Sequence, residues 1–194
     1  LFYATLARAG YFDIKELSTF RKINSRLQGH PATHEHLPGV RIASGSLGQG
    51  LSVAIGAALA KRLDQDKHLV FVLTGDGELM MGIGSLGVVA DQAPANLGIL
   101  VLDNEHFGET GRQNGLTGTR TDLCKVAEGF GIANTMLVTE DAQIGALADL
   151  MFKQPGPTFA VAKIAITEDP WALPVKDGAA IARRFRIALG VEKA

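Results

Sequence analysis

The residues best suited to chemistry in this chain are an acid and an amide, each at the end of an apolar run. Asp76 sits in Gly75-Asp76-Gly77, directly after His68-Leu69-Val70-Phe71-Val72-Leu73-Thr74. Asn104 follows Leu97-Gly98-Ile99-Leu100-Val101-Leu102 and Asp103. Both runs read as buried strands. The 26 residues from 78 to 103 leave room for one helix and a returning strand, and such a crossover makes the two strands parallel. Their C-terminal ends then meet one edge of the sheet, where open parallel sheets bind ligands. A carboxylate, an amide oxygen and a nearby backbone carbonyl suit a hard divalent cation such as Mg²⁺, which completes its shell with phosphate oxygens and water. Taken singly, Asp76 reads as a cap for the following helix and Asn104 as a turn residue. At this spacing the pair reads as a site for a hard divalent cation, and glycines on both sides of Asp76 leave the backbone open to close approach without a Cβ in the way.

The elements that must position these groups follow from periodicity. Leu1 to Ala9 and Ile14 to Arg21 read as short helices, and Gly29 to Gly50 as a loop-rich region. Gln49 to Leu63 reads as a helix whose small apolar face (Val53, Ala54, Ala57, Ala58) can pack closely on a sheet. The strand to Thr74, a helix over about Leu79 to Gln92 and the strand to Asp103 come next, with Pro94-Ala95-Asn96 as the intervening turn. Glu105 to Arg120 carries four glycines and reads as a structureless loop, a feature that in a compact domain marks function or mobility. Thr121 or Asp122 caps a helix to about Phe130. A strand over Thr135 to Val138, a helix over Asp141 to Met151, a strand over Thr158 to Ile166 and a closing helix over Gly178 to Leu189 complete the order. That last helix has a basic outer face of Arg183, Arg184 and Arg186. Strands alternating with helices indicate an α/β fold, a mostly parallel sheet with helices on both faces, in one domain over residues 1–194. Gly82-Ile83-Gly84-Ser85-Leu86-Gly87 matches a dinucleotide fingerprint. It lies inside a helix rather than directly after a strand, so its small residues read as close packing instead.

Gly-Asp-Gly, 26 residues and then an asparagine resembles the signature of thiamine diphosphate (ThDP) enzymes, on the diphosphate-binding side of their cofactor site. The resemblance implies cofactor contacts at Gly75, Asp76, Gly77, Glu78 and Asn104. It implies Mg²⁺ ligation by Asp76, Asn104 and the backbone carbonyl of His106. The family often has Asn-Asn at the second position; here Asp103 precedes the ligand. His106-Phe107-Gly108-Glu109-Thr110-Gly111-Arg112-Gln113 resembles the cofactor-domain stretch of 2-oxo acid decarboxylases, especially sulfopyruvate and phosphonopyruvate decarboxylases, which adds Gly108 and Thr110 as cofactor contacts. The competing reading is a polar surface loop. Gly29-His30-Pro31, Leu37-Pro38-Gly39-Val40 and Ala43-Ser44-Gly45-Ser46-Leu47-Gly48-Gln49-Gly50 are similar to the N-terminal half of transketolase. By that likeness His30 is catalytic, facing the substrate and the reacting ring, and Gly45 and Leu47 line the aminopyrimidine. The bland alternatives are a turn histidine held by proline, a helix start and core packing. Leu173-Pro174-Val175-Lys176-Asp177-Gly178 again resembles the decarboxylase subunit. His34 and His36 flank Glu35 but lack a fourth spaced metal ligand, and read as a solvated loop.

Composition sets the outer bounds. Hydrophobic residues make up 46% and charged residues 20%, ordinary for a soluble globular domain, and the formal net charge of −1 points to no nucleic-acid or membrane partner. No apolar run approaches the ~20 residues of a membrane span. One cysteine, Cys124, excludes an internal disulfide and fits a reducing, cytoplasmic setting. The chain opens at Leu1 directly in helical pattern, so missing upstream residues are expected. The resemblance implies a ThDP- and Mg²⁺-binding subunit of an enzyme that cleaves or forms C–C bonds, first a 2-oxo acid decarboxylase or carboligase. The alternatives are a transketolase-like subunit transferring a ketol group between sugar phosphates, and a non-catalytic diphosphate-binding module. In the family, a glutamate from a separate pyrimidine-binding domain activates the cofactor. The resemblance therefore implies a heteromer with a pyrimidine-binding-domain subunit, acting on a 2-oxo acid or a sugar phosphate.

Overall fold

The computed structural model describes residues 1–166 and 175–193. Leu173 and Pro174, which open the second decarboxylase-like stretch, lie outside them. The sequence reading takes 1–194 as one domain; in the structure Leu1–Ile164 gather into one compact unit and Ala165–Ala194 into a second.

In the first unit, α1 (Phe2–Arg8) is followed by a 3₁₀ turn over Ile14–Thr19 in place of the expected second helix. The chain then runs through a long irregular stretch to α2 (Gly50–Leu63). Next come β1 (Val70–Gly75), α3 (Asp76–Met81), α4 (Ser85–Gln92) and β2 (Leu97–Asp103). A two-stranded antiparallel hairpin, β3 (His106–Phe107) and β4 (Gln113–Asn114), occupies the loop expected to be structureless. After it come α5 (Leu123–Phe130), β5 (Asn134–Val138), α6 (Ile144–Lys153) and β6 (Thr158–Lys163). The four long strands form one parallel sheet in the order β1-β2-β6-β5. This is the α/β architecture that the alternation of elements implies.

Side-chain alternation sorts the two faces. Val72, Ile99, Val101, Phe159 and Val161 join Leu51, Ile55, Leu86, Val89 and Cys124 in a continuous core under α2, α4 and α5. Each such fully buried aliphatic or aromatic side chain contributes about 1.5–3 kcal/mol relative to exposure. On the opposite face Met151 of α6 reaches the sheet beside Gly98 and Thr158. The face of α2 differs from the expected one. Leu51, Ala54, Ile55 and Ala58 point inward at helical spacing, while Val53 and Ala57 are exposed. The larger Leu51 and Ile55 set the buried stripe, because more apolar area leaves water that way.

The helix expected over Leu79 to Gln92 is two helices, broken at Gly82–Gly84. A Cβ on Gly82 would sit 2.4 Å from the Gly48 carbonyl oxygen, so the glycine admits a backbone-to-backbone contact that an unbroken helix would not reach. This matches the packing role expected for the small residues of that motif. Asp122, rather than Thr121, caps α5, its carboxylate accepting from the Lys125 N–H at 3.1 Å. In the second unit, Asp177 caps α7 (Gly178–Ala188), and Arg183 and Arg186 both pair with Glu192. No helix of the described residues is long and apolar enough to cross a membrane.

Candidate functional site

Register fixes where the acid and the amide fall. Gly75 pairs with Leu102 across parallel strands, so Asp76 leaves β1 at the same edge where Asp103 and Asn104 leave β2. Asp76 is the first residue of α3 and only 4% exposed. Its Oδ2 accepts from Thr117 Oγ1 at 2.9 Å. Among the described residues it has no ion pair and no other side-chain hydrogen-bond donor. A buried carboxylate with so little compensation is costly unless a cation joins it.

Asp103, 2% exposed, is compensated in full. Its Oδ1 accepts from the Glu105 N–H at 2.9 Å, and its Oδ2 lies 2.8 Å from Lys163 Nζ. Lys163 also bonds Glu105 Oε1 at 2.6 Å. Burial pulls the Lys163 ammonium down, but its bonds to Asp103 and Glu105 outweigh this and hold it above the ordinary lysine range. Asn104 is half-buried, and its Oδ1 accepts from the His106 N–H at 2.9 Å. That is the turn role anticipated for it alone, and the amide oxygen keeps a second lone pair. His106 is half-buried in β3, its Nδ1 2.9 Å from the Asn104 carbonyl oxygen.

The remaining candidates fall into two groups. Near Asp76, Glu78 reaches back to the Gly75 N–H at 3.4 Å and faces the start of α2 at Gly50. Gly75 is open: nothing lies within 4 Å of where its Cβ would be. Gly77 is not, because the Phe107 ring comes to 2.7 Å of that position. The absent side chain at 77 thus makes room for the hairpin, on a side where a diphosphate was expected. Gly108 and Thr110 are exposed at the hairpin's far end, and Thr110 Oγ1 bonds Gln113 Oε1 at 2.8 Å. No described hydrogen bond joins either of them to Asp76 or Asn104.

The second group is built around His30. Its imidazole lies against Gly45, where a Cβ would meet Cγ at 2.7 Å. Gly45 has φ +123, a conformation side chains resist, so both space and backbone require glycine there. Leu47 is 55% exposed rather than packed in the core. α3 links the two groups, holding Asp76 at its first residue and, at its far end, Met81 and Gly82 against Gly48. His34 approaches Glu35 at 3.3 Å while remaining exposed. Among the described residues no three His, Cys, Asp or Glu side chains could hold a metal together. A cation here would draw on one carboxylate, an amide oxygen and backbone, an all-oxygen set that fits Mg²⁺.

Sequence reasoning missed Thr117, Glu105 and Lys163 as partners of these carboxylates. Lys163 carried a signal, being the one charged residue in the apolar run Thr158 to Ile166. Thr117, inside a glycine-rich stretch, carried none.

Residues 27–162 match the model of a family described as "Thiamine pyrophosphate enzyme, C-terminal TPP binding domain". Over 81 residues the chain is 46% identical to one subunit of the apulose-4-phosphate transketolase of Actinobacillus succinogenes, covering 42% of this chain and 29% of that protein. Over 113 residues it is 42% identical to the transketolase of Buchnera aphidicola subsp. Acyrthosiphon pisum, covering 53% of this chain and 17% of that one. A solved transketolase from Pichia stipitis aligns with a TM-score of 0.69 at 22% identity over 85% of this chain and 26% of that chain, a likeness of fold alone. The chain spans less than a third of the length of these curated relatives, 29% and 17%.

Proposed function

Because this chain belongs to the thiamine pyrophosphate (thiamine diphosphate) enzymes, matching their C-terminal TPP-binding domain, we propose that it is the diphosphate-binding part of a transketolase-type enzyme. The reaction is transfer of a ketol group between sugar phosphates. The observation that carries the reading is Asp76, a buried carboxylate without an ion pair among the described residues, one strand away from Asn104 at the binding edge of a parallel sheet. Asp76, Asn104 and the backbone carbonyl of His106 would hold Mg²⁺. The open side of Gly75 admits the diphosphate. Glu78, the backbone of Gly77 on the side away from Phe107, Gly108 and Thr110 border the cofactor; Gly45 and Leu47 face its aminopyrimidine, and His30 faces the substrate. When bound, ThDP supplies the nucleophilic carbon and the electron sink for cleaving a C–C bond beside a carbonyl.

What this chain contributes is position and shielding. The hairpin packs Phe107 on Gly77, and the turn after it brings Thr117 onto Asp76, which is only 4% exposed; that burial strengthens the carboxylate's pull on a cation. His30, exposed and braced by Gly45, is placed to hydrogen-bond a substrate oxygen and to exchange a proton with it. The glutamate that activates the cofactor in this family belongs to a pyrimidine-binding domain, which we assign to a separate subunit. The Actinobacillus relative is itself one subunit of a transketolase named for a sugar phosphate, which supports both the heteromer and the substrate class. The 2-oxo acid decarboxylase reading rests on the stretches His106 to Gln113 and Leu173 to Gly178, whereas the relatives described above favour ketol transfer.

The test combines the full chain with its pyrimidine-domain subunit, ThDP and Mg²⁺. A ketose phosphate donor with an aldose acceptor is assayed beside a series of 2-oxo acids. Turnover with the sugar phosphates alone is expected. Consumption of 2-oxo acids alone restores the decarboxylase reading, and failure to bind ThDP leaves a non-catalytic module.

A further inference from the structure

Thr117 stands between the two buried carboxylates of the sheet edge. Its Oγ1 lies 2.9 Å from Asp76 Oδ2 and 2.8 Å from Asp103 Oδ1, and the residue is itself buried. A threonine hydroxyl has one proton, so it serves one of these oxygens fully at a time. The two acceptors differ in need. Asp103 already has the Lys163 ammonium and the Glu105 N–H. Asp76 has neither an ion-pair partner nor a second side-chain donor among the described residues. The proton is therefore drawn toward Asp76.

An aspartate also needs such a partner for its orientation. Its terminal torsion is broad and roughly two-fold, so the side chain alone does not choose which oxygen faces outward. The backbone around Thr117 is held firmly enough to make the choice. Thr117 lies in the 3₁₀ turn Leu116–Gly118 at the hairpin's return. Two residues earlier, Gly115 donates its N–H to the Glu105 carbonyl at 2.6 Å. A Cβ at Gly115 would stand 3.1 Å from the same Asp76 Oδ2. Lys163 ties the base of the hairpin by bridging Asp103 and Glu105.

We propose that Thr117 is a positioning residue for the cation site: its hydroxyl donates to Asp76 Oδ2, fixes the carboxylate's rotation and leaves Oδ1 as the oxygen offered to the metal. The inference rests on the reading of Asp76 as a Mg²⁺ ligand.

The test titrates Mn²⁺, an oxygen-seeking spin probe for the Mg²⁺ site, into the full chain in complex with ThDP and its pyrimidine-domain subunit. Free Mn²⁺ is read by electron paramagnetic resonance. Thr117→Val is expected to weaken Mn²⁺ binding about tenfold and Thr117→Ser by less than about twofold, as for loss and retention of an outer hydrogen-bond partner of a metal ligand. Unchanged or tighter binding in Thr117→Val overturns the proposal. So does a Thr117→Ser variant as weak as Thr117→Val, since the loss then belongs to the methyl group. Should Thr117→Val fail to fold by circular dichroism, Thr117→Ala takes its place in the comparison with Thr117→Ser. Asp76→Ala separates the two levels. If it binds Mn²⁺ like the wild type, the metal-site reading falls and this proposal with it. If it loses Mn²⁺ while Thr117→Val does not, the proposal alone falls.

Discussion

Asp76 and His30 occupy regions built in different ways. Around Asp76 the chain closes on itself, with an aromatic ring on Gly77, a hydroxyl from Thr117 and, next door, an acid neutralised by Lys163. Around His30, in residues 29–49, only Leu37 is buried, and Ile42 and Leu47 are half exposed or more. The first region has its packing and its hydrogen bonds within the chain. The second has a braced imidazole, a few turn hydrogen bonds such as Ser44 N–H to the Pro31 carbonyl, and much of its surface exposed. The contrast suits a division of labour in which this chain completes the diphosphate end of the cofactor and shares the reacting end with a second subunit.

Mutation can break that contrast or sharpen it. The largest effect is expected from Asp76→Ala, which should reduce Mg²⁺-dependent ThDP affinity by more than about a hundredfold, beyond the range for outer-sphere partners. Equilibrium dialysis with labelled cofactor measures it. His30→Ala should leave that affinity alone while lowering kcat by about a hundredfold or more, the low end for loss of a positioned acid–base group. If His30→Ala released the cofactor as Asp76→Ala does, the two regions would be one, and the division would be wrong.

The joint between the regions comes next in size. Gly82→Ala would place a methyl 2.4 Å from the Gly48 carbonyl oxygen. It should cost about 1–3 kcal/mol of stability, as overpacking does, visible in denaturant melts. A neutral result would mean that α3 does not lock the two regions together.

The smallest effect concerns Cys124, a buried member of the core with no contact to Asp76 or His30 among the described residues. Burial, with Asp122 and Glu128 nearby, pushes its thiol up to about 11. An unfolded thiol ionises near about 8.5. Below that pH both states are protonated and the contribution is complete. As pH rises from about 8.5 through 11 the unfolded state loses its proton first, so stability declines. Urea melts of wild type and Cys124→Ala across that window should diverge from parallel lines, with the wild type falling faster.

The parts of this site legible from sequence were those set by strand ends. Asp76 and Asn104 each close an apolar run, and a crossover of fixed hand brings such ends to one edge whatever the helix between them does. Hence the pairing survived although that helix is really two. The small apolar residues of α2 offered two neighbouring stripes, and only the sheet beneath it selected Leu51 and Ile55 over Val53 and Ala57. The hairpin after Asn104 escaped notice because glycines at 108, 111, 115 and 118 blur any period-two pattern. Thr117 was hidden for a different reason: its partners lie 41 and 14 residues away, beyond any local pattern.

The ring of Phe107 occupies the volume that a side chain at position 77 would need. These two positions are thereby bound in a common fate during sequence drift. Any enlargement at 77 demands a smaller neighbour at 107 in the same lineage, and a change at 107 leaves a hole over the turn that bears the acid. Viable combinations lie on a narrow diagonal, and a variant library that samples one site at a time would see only its failures.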